Sequence, residues 1–565
     1  MPSALTYPGI YVEELPSGVH PITGVSTSDT AFCDFFASGP VNVATRITSF
    51  ADFVRQFGGL DTRSEASYGI QQFYVNGGQI AWVIRVLTGD ATKASAALAS
   101  DGGAGSGMSG SGMSGVASGV SGGMGGGDLT IEAASEGAWG NNLQIGIDFN
   151  TANPGAGNEF NLVVREVLPL SNGRSQVQSF EVYRNLVMDD TTGAQYAPTV
   201  INHASALIHM PAGGMGQRPA ATHADAVNAV GKTDPTDPDV TSFVPFGGTP
   251  ATRGKDGDPP DGNALLGVGE VNGGINALDT IAPYVFNLMC LPAAANLPDG
   301  GVAVYAQALS YCESKRAFLI VDPPRSMDAD ANGRQKQNDM VTFKNNLDVS
   351  RNGAVYFPRV AMPDPLRGNV PQRRGPSGTM AGVYARTDST RGVWKAPAGV
   401  DANLLGGLEL DVILDDLSSG ALNQIGVNAL RNFPIFRNVS WGARTLEGAD
   451  VQASEYKYIP VRRTALYIEE SLYQGLKWVV FEPNDEPLWS QIRLNVGAFM
   501  NTLFRQGAFQ GKTPREAYLV KCDSETTTAT DQNLGIVNIL VAFAPLKPAE
   551  FVVIRIQQLA GQVQA

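Results

Sequence analysis

Positive charge is scarce in this chain. Its 40 Lys and Arg residues face 54 Asp and Glu, a formal net charge of -14 over 565 residues. Phosphate binding needs a clustered positive surface, so this balance argues against nucleic acid as a partner. Cysteine is just as sparse. Cys33, Cys290, Cys312 and Cys522 lie far apart without metal-ligand spacing, which excludes a disulfide framework and fits buried thiols in a protein made in a reducing cytoplasm. The four histidines, His20, His203, His209 and His223, include no pair at the i, i+4 spacing that binds zinc on a helix. No apolar stretch approaches the roughly 20 residues that span a bilayer, and Met1-Pro2-Ser3-Ala4 begins no signal peptide. The expectation is a chain that neither inserts in a membrane nor holds a cofactor.

Catalytic motifs are missing as well. Gly507-Ala508-Phe509-Gln510-Gly511-Lys512-Thr513 is one residue too short for a phosphate-binding loop, follows a helical pattern and runs into Pro514. A helix-terminating turn is the better reading. Gly267-Val268-Gly269 has Asn272 where a dinucleotide fingerprint needs its third glycine. One match is closer. Asp328-x-Asp330-x-Asn332-Gly333 and then Asp339 supply oxygens at the spacing of a calcium loop, with Asp in place of the usual bidentate Glu. Pro323-Pro324 precludes a helix running straight into it and Asp reaches less far than Glu, so a solvated acidic loop is the first reading and calcium the second.

What the chain does have is apolar residues, 43% of the total, enough for sizeable cores in two to four domains. Residues 21–95 alternate strand and helix signals. Thr30 to Phe36 is strand-like, and Ser49 is an N-cap for a helix carrying Phe50, Phe53, Val54 and Phe57. A second helix, Ser67 to Val75, leads through Asn76-Gly77-Gly78 into the strand Ile80 to Val86. From 101 to 127 the chain is almost entirely Gly, Ser, Met, Ala and Val, a flexible linker composition that marks a domain boundary. Residues 128–270 read as a β-rich inserted domain, with Leu143 to Asp148 and Phe160 to Glu166 as its clearest strands. The α/β pattern then returns: strand Tyr284 to Leu291, helix Ala303 to Lys315 and strand Ala317 to Val321 form a βαβ unit. The α/β domain is thus discontinuous, 21–95 with 275–447. In a C-terminal core domain, 448–545, a helix from Arg463 to Leu476 precedes a strand Lys477 to Phe481. Pro487 then opens a helix carrying Leu488, Ile492, Val496, Met500 and Leu503.

Both ends of the chain read as detached strands. Leu534 to Phe543 has the near-continuous apolar pattern of a strand covered on both faces. Pro545, Lys547 and Pro548 separate it from Phe551 to Gln557, where Val552, Ile554 and Ile556 alternate with Val553 and Arg555. An apolar strand on a stiff tether is an aggregation hazard unless it has a designated partner, and the efficient partner is the open sheet edge of another subunit. Residues 546–565 are therefore read as an arm, and 1–20, with Ile10, Tyr11 and Val12 in Tyr7-Pro8-Gly9-Ile10-Tyr11-Val12-Glu13-Glu14-Leu15, as a second one. Two edge strands of one domain are the other reading. Apolar strands at both ends fit a chain that joins copies of itself into an array.

The opening Tyr7 to Glu14, with Gly24-Val25-Ser26-Thr27 and Ser49-Phe50-Ala51-Asp52-Phe53, resembles the N-terminus of contractile tail sheath proteins of bacteriophages and related contractile injection systems. Tyr384-Ala385-Arg386-Thr387-Asp388, Gly392-Val393-Trp394-Lys395-Ala396-Pro397-Ala398-Gly399, Trp478 to Asp485 and Asn495-Val496-Gly497-Ala498-Phe499-Met500 are similar to that family's signatures. The resemblance covers residues 5–95 and 275–560. It implies a multidomain α/β (α+β) sheath-type core with an outer β-rich insert and extended strand arms at both termini. It also implies a non-enzymatic subunit stacked helically on an inner tube, with baseplate and terminator proteins at the ends, assembled in the bacterial cytoplasm and acting in a virion tail or extracellular particle. An α/β enzyme with a β-rich accessory domain is the alternative; it needs convergent titratable residues near a strand end, and no recognisable set is present.

The composition of the Gly-rich stretch generates a first test. Deleting Gly102 to Gly127 is expected to leave the melting temperature unchanged, because lengthening or shortening a flexible connection alters closure entropy only slowly. A large drop in melting temperature would mean that the stretch packs.

Overall fold

The computed structural model describes residues 20–101, 129–153, 157–170, 173–188, 193–211, 218–222, 235–238, 242–330 and 332–555. At its centre is an eight-stranded sheet. Thr30–Asp34, Ala81–Arg85, Leu288–Cys290, Phe318–Val321, Gly353–Phe357 and Val427–Phe433 run parallel, while Thr45–Ile47 and Arg437–Ser440 close the two edges antiparallel. Such a sheet must be covered on both faces, and its alternating side chains build two cores. Ala31, Ile84, Met289, Leu319, Val321 and Val355 face one way, against Val304, Tyr305 and Ala308 of the helix Val302–Ser314 and Met340 of Gly333–Asn346. Phe32, Val83, Leu288, Phe318, Ile320 and Tyr356 face the other, against Ile70 and Phe73 of Glu65–Val75 and Met380, Val383 and Tyr384 of Ser377–Arg391. These two helices pack tightly enough that a Cβ on Gly378 would come within 2.3 Å of the Gly69 carbonyl oxygen. Only glycine fits there.

Local signals explain the helix starts. Ser49 accepts a hydrogen bond from the Asp52 amide and caps Phe50–Phe57, and Gly58 ends that helix at φ 84°. Ser64 caps Glu65–Val75 in the same way.

The chain leaves this body after Arg85 and returns at Asp261. Isolated bridges Thr88–Asp258 and Thr92–Lys255 hold the two crossings together. Between them lie a three-stranded sheet and a four-stranded sheet around one apolar core that includes Leu98, Ile131, Ile145, Leu162, Leu186 and Ile201. The Gly-rich stretch differs from its expected place as a domain boundary. Ser95–Leu98 pairs antiparallel with Leu129–Ala133, Leu98 opposite Leu129, so the stretch is a connection within the inserted unit, which starts near Thr88. Composition marks such a segment but cannot show that the strands on either side of it pair. Residues 102–128 themselves lie outside the described residues.

The C-terminal unit hangs on the helix Ile459–Gly475. This helix begins earlier than its periodicity predicts because Pro460 sits in its first turn, where proline needs no amide partner. Ile459 and Leu466 belong to one core of the α/β body, and Ile468 to the core of the C-terminal unit. Arg463 donates to both carboxylate oxygens of Asp388, at 2.9 and 2.6 Å, and to the Thr27 carbonyl. The same helix is tied by Arg462 to Asn352 and by Glu470 to Arg316. The family-like motif Tyr384 to Asp388 is thereby accounted for. Tyr384 shares a buried hydrogen bond with Tyr356, Arg386 donates to the Asn76 and Asn403 carbonyls, and Asp388 holds Arg463.

Two expected strands differ. Lys477 to Phe481 is a 3-10 turn over Lys477–Val479 followed by a second turn closed by the Glu482 amide on the Val479 carbonyl, with Phe481 at φ 73° and its ring in solvent. Among the described residues its apolar, β-favouring side chains have no strand to pair with, and propensity alone does not make a strand. Leu534 to Phe543 is a strand only over Leu540–Phe543. Val537, Ile539, Val541 and Phe543 pack on the C-terminal core, whereas Ile536 and Leu540 are exposed. One face is covered, not two.

The Asp388–Arg463 pair generates a stability prediction. Both side chains are less than 5% exposed, and removing one partner of a buried pair typically costs about 3–5 kcal/mol. Asp388→Ala is expected to lower the chemical-denaturation midpoint accordingly. Asp401→Ala, which removes an exposed pair with Arg391, is expected to leave the midpoint nearly unchanged.

Candidate assembly site

The helix Glu486–Arg505, with Pro487 in its first turn, lays Leu488, Ile492, Val496, Phe499, Met500 and Leu503 on the C-terminal core. That stripe forms because these residues recur at helical spacing. Against it lies an antiparallel pair of strands, Tyr518–Lys521 with Leu540–Phe543, registered Tyr518 to Phe543 and Lys521 to Leu540. Among the described residues neither strand has another ladder partner. Tyr518, Val520, Val541 and Phe543 turn to the core; Leu519 and Leu540 are half exposed on the other face. An isolated two-stranded ribbon is marginal in water unless it packs against something or gains strands. This one does the first and leaves both edges open for the second.

The chain then crosses back to the α/β body. Ala544 is held by the Ala517 carbonyl and by the Gln510 amide, and Pro545 bridges Phe509. At the far end of the crossing the Glu550 carboxylate accepts from Arg444 Nε at 2.7 Å and Arg444 Nη2 at 2.8 Å, from Asn423 Nδ2 at 2.7 Å and from the Tyr458 hydroxyl at 3.1 Å. Burial raises its pKa, but the bonds from Arg444 and Asn423 outweigh that and hold the carboxyl below its usual range. Beneath the crossing is a cavity of about 940 Å³ bordered by Trp394, Trp441 and Arg431. Immediately after Glu550 the chain is free: Phe551, Val552, Val553 and Ile554 are 75–80% exposed in succession.

Of the residues expected to form arms, Val552, Val553 and Ile554 are therefore exposed and outside any described strand, while Ile10, Tyr11, Val12 and Ile556 lie outside the described residues. Glu550, its clamp and the ribbon Tyr518–Lys521 went unpredicted. The ribbon strand carries a weak alternation, and nothing near Glu550 in sequence points to Arg444.

The calcium pattern is not assembled as a loop. Asn332 accepts from the Arg334 amide and caps Gly333–Asn346, and Asp339 sits on that helix accepting from Gln335. Asp328 lies in the 3-10 turn Arg325–Ala329, 3.0 Å from Arg359, and Asp330 ends that turn. Helix formation at Gly333 replaces the turn that would fold the later ligand back. Among the described residues no group of three or more His, Cys, Asp or Glu is placed to hold a metal ion, and no helix is long and apolar enough to cross a membrane.

The carboxyl ends of the parallel strands, where doubly wound sheets bind ligands, carry buried acids with structural partners. Asp34 accepts from the Phe35 and Ala66 amides and from Ser64, and Asp322 from the amide and hydroxyl of Ser377. Burial pushes both up to about 7. Each pins the start of a helix to a strand end, and Arg359 with Glu65 fills the space between them.

The doubly wound body, the β unit that interrupts it and the helical unit with its ribbon match solved structures in overall fold. The fold matches the sheath of an extracellular contractile injection system, the PVC sheath complex in its contracted state, at a TM-score of 0.53 and 18% identity over 99% of both chains. It matches the contracted helical sheath of the anti-feeding prophage at 0.52 and 21%, over 98% of this chain and 99% of that one. The sheath tail protein of Listeria innocua gives 0.54 and 12%, over 93% and 96%. Residues 451–558 match the phage tail sheath C-terminal domain. The tail sheath protein of Vibrio phage KVP40 is 28% identical over 179 residues, 31% of this chain. The chain spans about a quarter of that relative's length. Residues 451–558 thus carry the likeness to the tail sheath C-terminal domain, and the whole chain shares its fold with solved sheath structures.

The ribbon's two faces generate a test of its packing. Val541→Asp places a charge against the C-terminal core and is expected to cost about 1–3 kcal/mol. Leu540→Asp points to solvent and is expected to leave thermal unfolding of the unassembled protein unchanged. Equal losses would contradict the assigned faces.

Proposed function

We propose that this chain is the structural subunit of a contractile sheath. It polymerises helically around an inner tube, with baseplate and terminator proteins at the ends, and contracts to drive the tube through a target cell envelope. In a virus the same motion serves genome ejection. The arms link neighbouring subunits by strand addition. The observation that carries this reading is a matched pair of unsatisfied elements: an exposed apolar run, Phe551 to Ile554, and a ribbon with two open edges in the same chain.

The energies fit. Fully burying a Val, Ile or Phe side chain contributes roughly 1.5–3 kcal/mol, and each ladder hydrogen bond about 1 kcal/mol. Residues 551–565 reach at most about 50 Å when extended, enough to cross to a neighbour. Repeated at every subunit, a modest contact of this size holds a mesh together while the bodies move as rigid units. Contraction then needs no nucleotide, provided that the contracted array buries more surface than the extended one. Two of the similar structures are sheaths in a contracted state. The enzyme alternative finds little support at the strand ends, where Asp34 and Asp322 are committed to helix starts.

The test is a chain ending at Glu550, which keeps the clamp and removes only the exposed run. Circular dichroism is expected to match the full chain, while sedimentation and negative-stain images show tubes for the full chain alone. Tubes from the shortened chain would overturn strand addition by this arm.

A further inference from the structure

Glu550 is the last residue fixed to the subunit before the exposed run, and its carboxylate is unusually well held for a residue so near the end of a chain. Arg444, 1% exposed at its side chain, offers it two parallel donors, the geometry that gives guanidinium–carboxylate pairs both strength and direction. The guanidinium cannot swing away. Its remaining nitrogen donates to the Asn423 carbonyl at 2.8 Å and to Asp450 at 2.9 Å. The Arg444 backbone is locked in turn by Asn428, which donates to its carbonyl and accepts from its amide. Asn423 also donates to Glu550 from the end of the helix Asp416–Gln424, and Tyr458 does so from the N-cap of Ile459–Gly475. Three separate elements of the body therefore converge on one carboxylate.

We propose that Arg444, Asn423 and Tyr458 form a carboxylate clamp that takes Glu550 and fixes the point and direction in which the C-terminal arm leaves the subunit. The inference rests on the sheath reading for its consequence, and on the geometry alone for the clamp. With the strap anchored at Ala544 on the C-terminal unit and at Glu550 on the α/β body, the hinge of the arm lies between Glu550 and Phe551. Unclamped, the free tether starts near Pro545 and gains five residues, about 16 Å of reach. The added length alone dilutes the strand at its target only slightly, and the larger loss is of orientation. Glu550 is thus a positioning residue for assembly. It makes no contact with a neighbour in this role.

The experiment compares the full chain with Glu550→Gln, which keeps the shape and loses the charge, and with Tyr458→Phe, which removes one donor and keeps the ring. Limited chymotrypsin digestion followed by mass spectrometry reads the strap in unassembled protein. In the unsubstituted chain, cutting is expected after Phe551 and hardly at all after Leu546. In E550Q, cutting after Leu546 accelerates severalfold while cutting within the α/β body does not, and Y458F falls between. The protein concentration needed for tube formation, measured by sedimentation, is expected to rise roughly three- to tenfold in E550Q. Unchanged cutting at Leu546 in both variants overturns the clamp, whatever assembly does. Faster cutting with an unchanged assembly threshold overturns its positioning role. An unsubstituted chain that forms no tubes, with faster cutting in E550Q, removes the sheath reading and leaves the clamp standing.

Discussion

Backbone hydrogen bonding that one chain leaves incomplete is the constraint on which the rest of this structure depends. Among the described residues the ribbon Tyr518–Lys521 with Leu540–Phe543 has two open edges and the apolar run Phe551 to Ile554 belongs to no ladder, and open sheet edges and exposed apolar strands pair readily with other chains. Pro545 and Pro548 restrict the backbone of the crossing between the ribbon and Glu550 and remove two amide donors from it.

The α/β body supplies the geometry. A parallel sheet sealed on both faces is stiff, and its buried acids are spent on joining helix starts to strand ends. The C-terminal unit is coupled to it through one helix whose Arg463, Arg462 and Glu470 each reach a different part of the body. Buried pairs of this kind are weak sources of net stability, but they define relative position well. The strap from Ala544 to Glu550 adds a second, independent tie between the same two units. The ribbon and the root of the exposed run are thus both tied to the body.

Much of this was legible where the signal is local. The Ser49 cap, the strand Leu143–Asp148 and the stripe on Glu486–Arg505 follow from capping chemistry and from periods of 2 and 3.6 residues. What was not legible is long-range. Arg463 finds Asp388 at a separation of 75 residues and Arg444 finds Glu550 at 106, and no spacing rule connects such partners. The strand Ser95–Leu98 escaped because its partner lies beyond a Gly-rich stretch that breaks any local pattern. Lys477 to Phe481 misled for the opposite reason: its residues favour a strand, but among the described residues none pairs with them. The single-faced burial around Leu540–Phe543 was hidden by apolar residues on both sides, of which the outer ones, Ile536 and Leu540, are exposed.

The measurement that bears most directly on the account is a helical reconstruction of tubes assembled from the purified protein, at a resolution that traces strands. The account predicts residues 551–556 of one subunit running beside Tyr518–Lys521 or Leu540–Phe543 of a neighbour as an added strand. Residues 551–556 folded back onto their own subunit, with both ribbon edges still open in the tube, would contradict it.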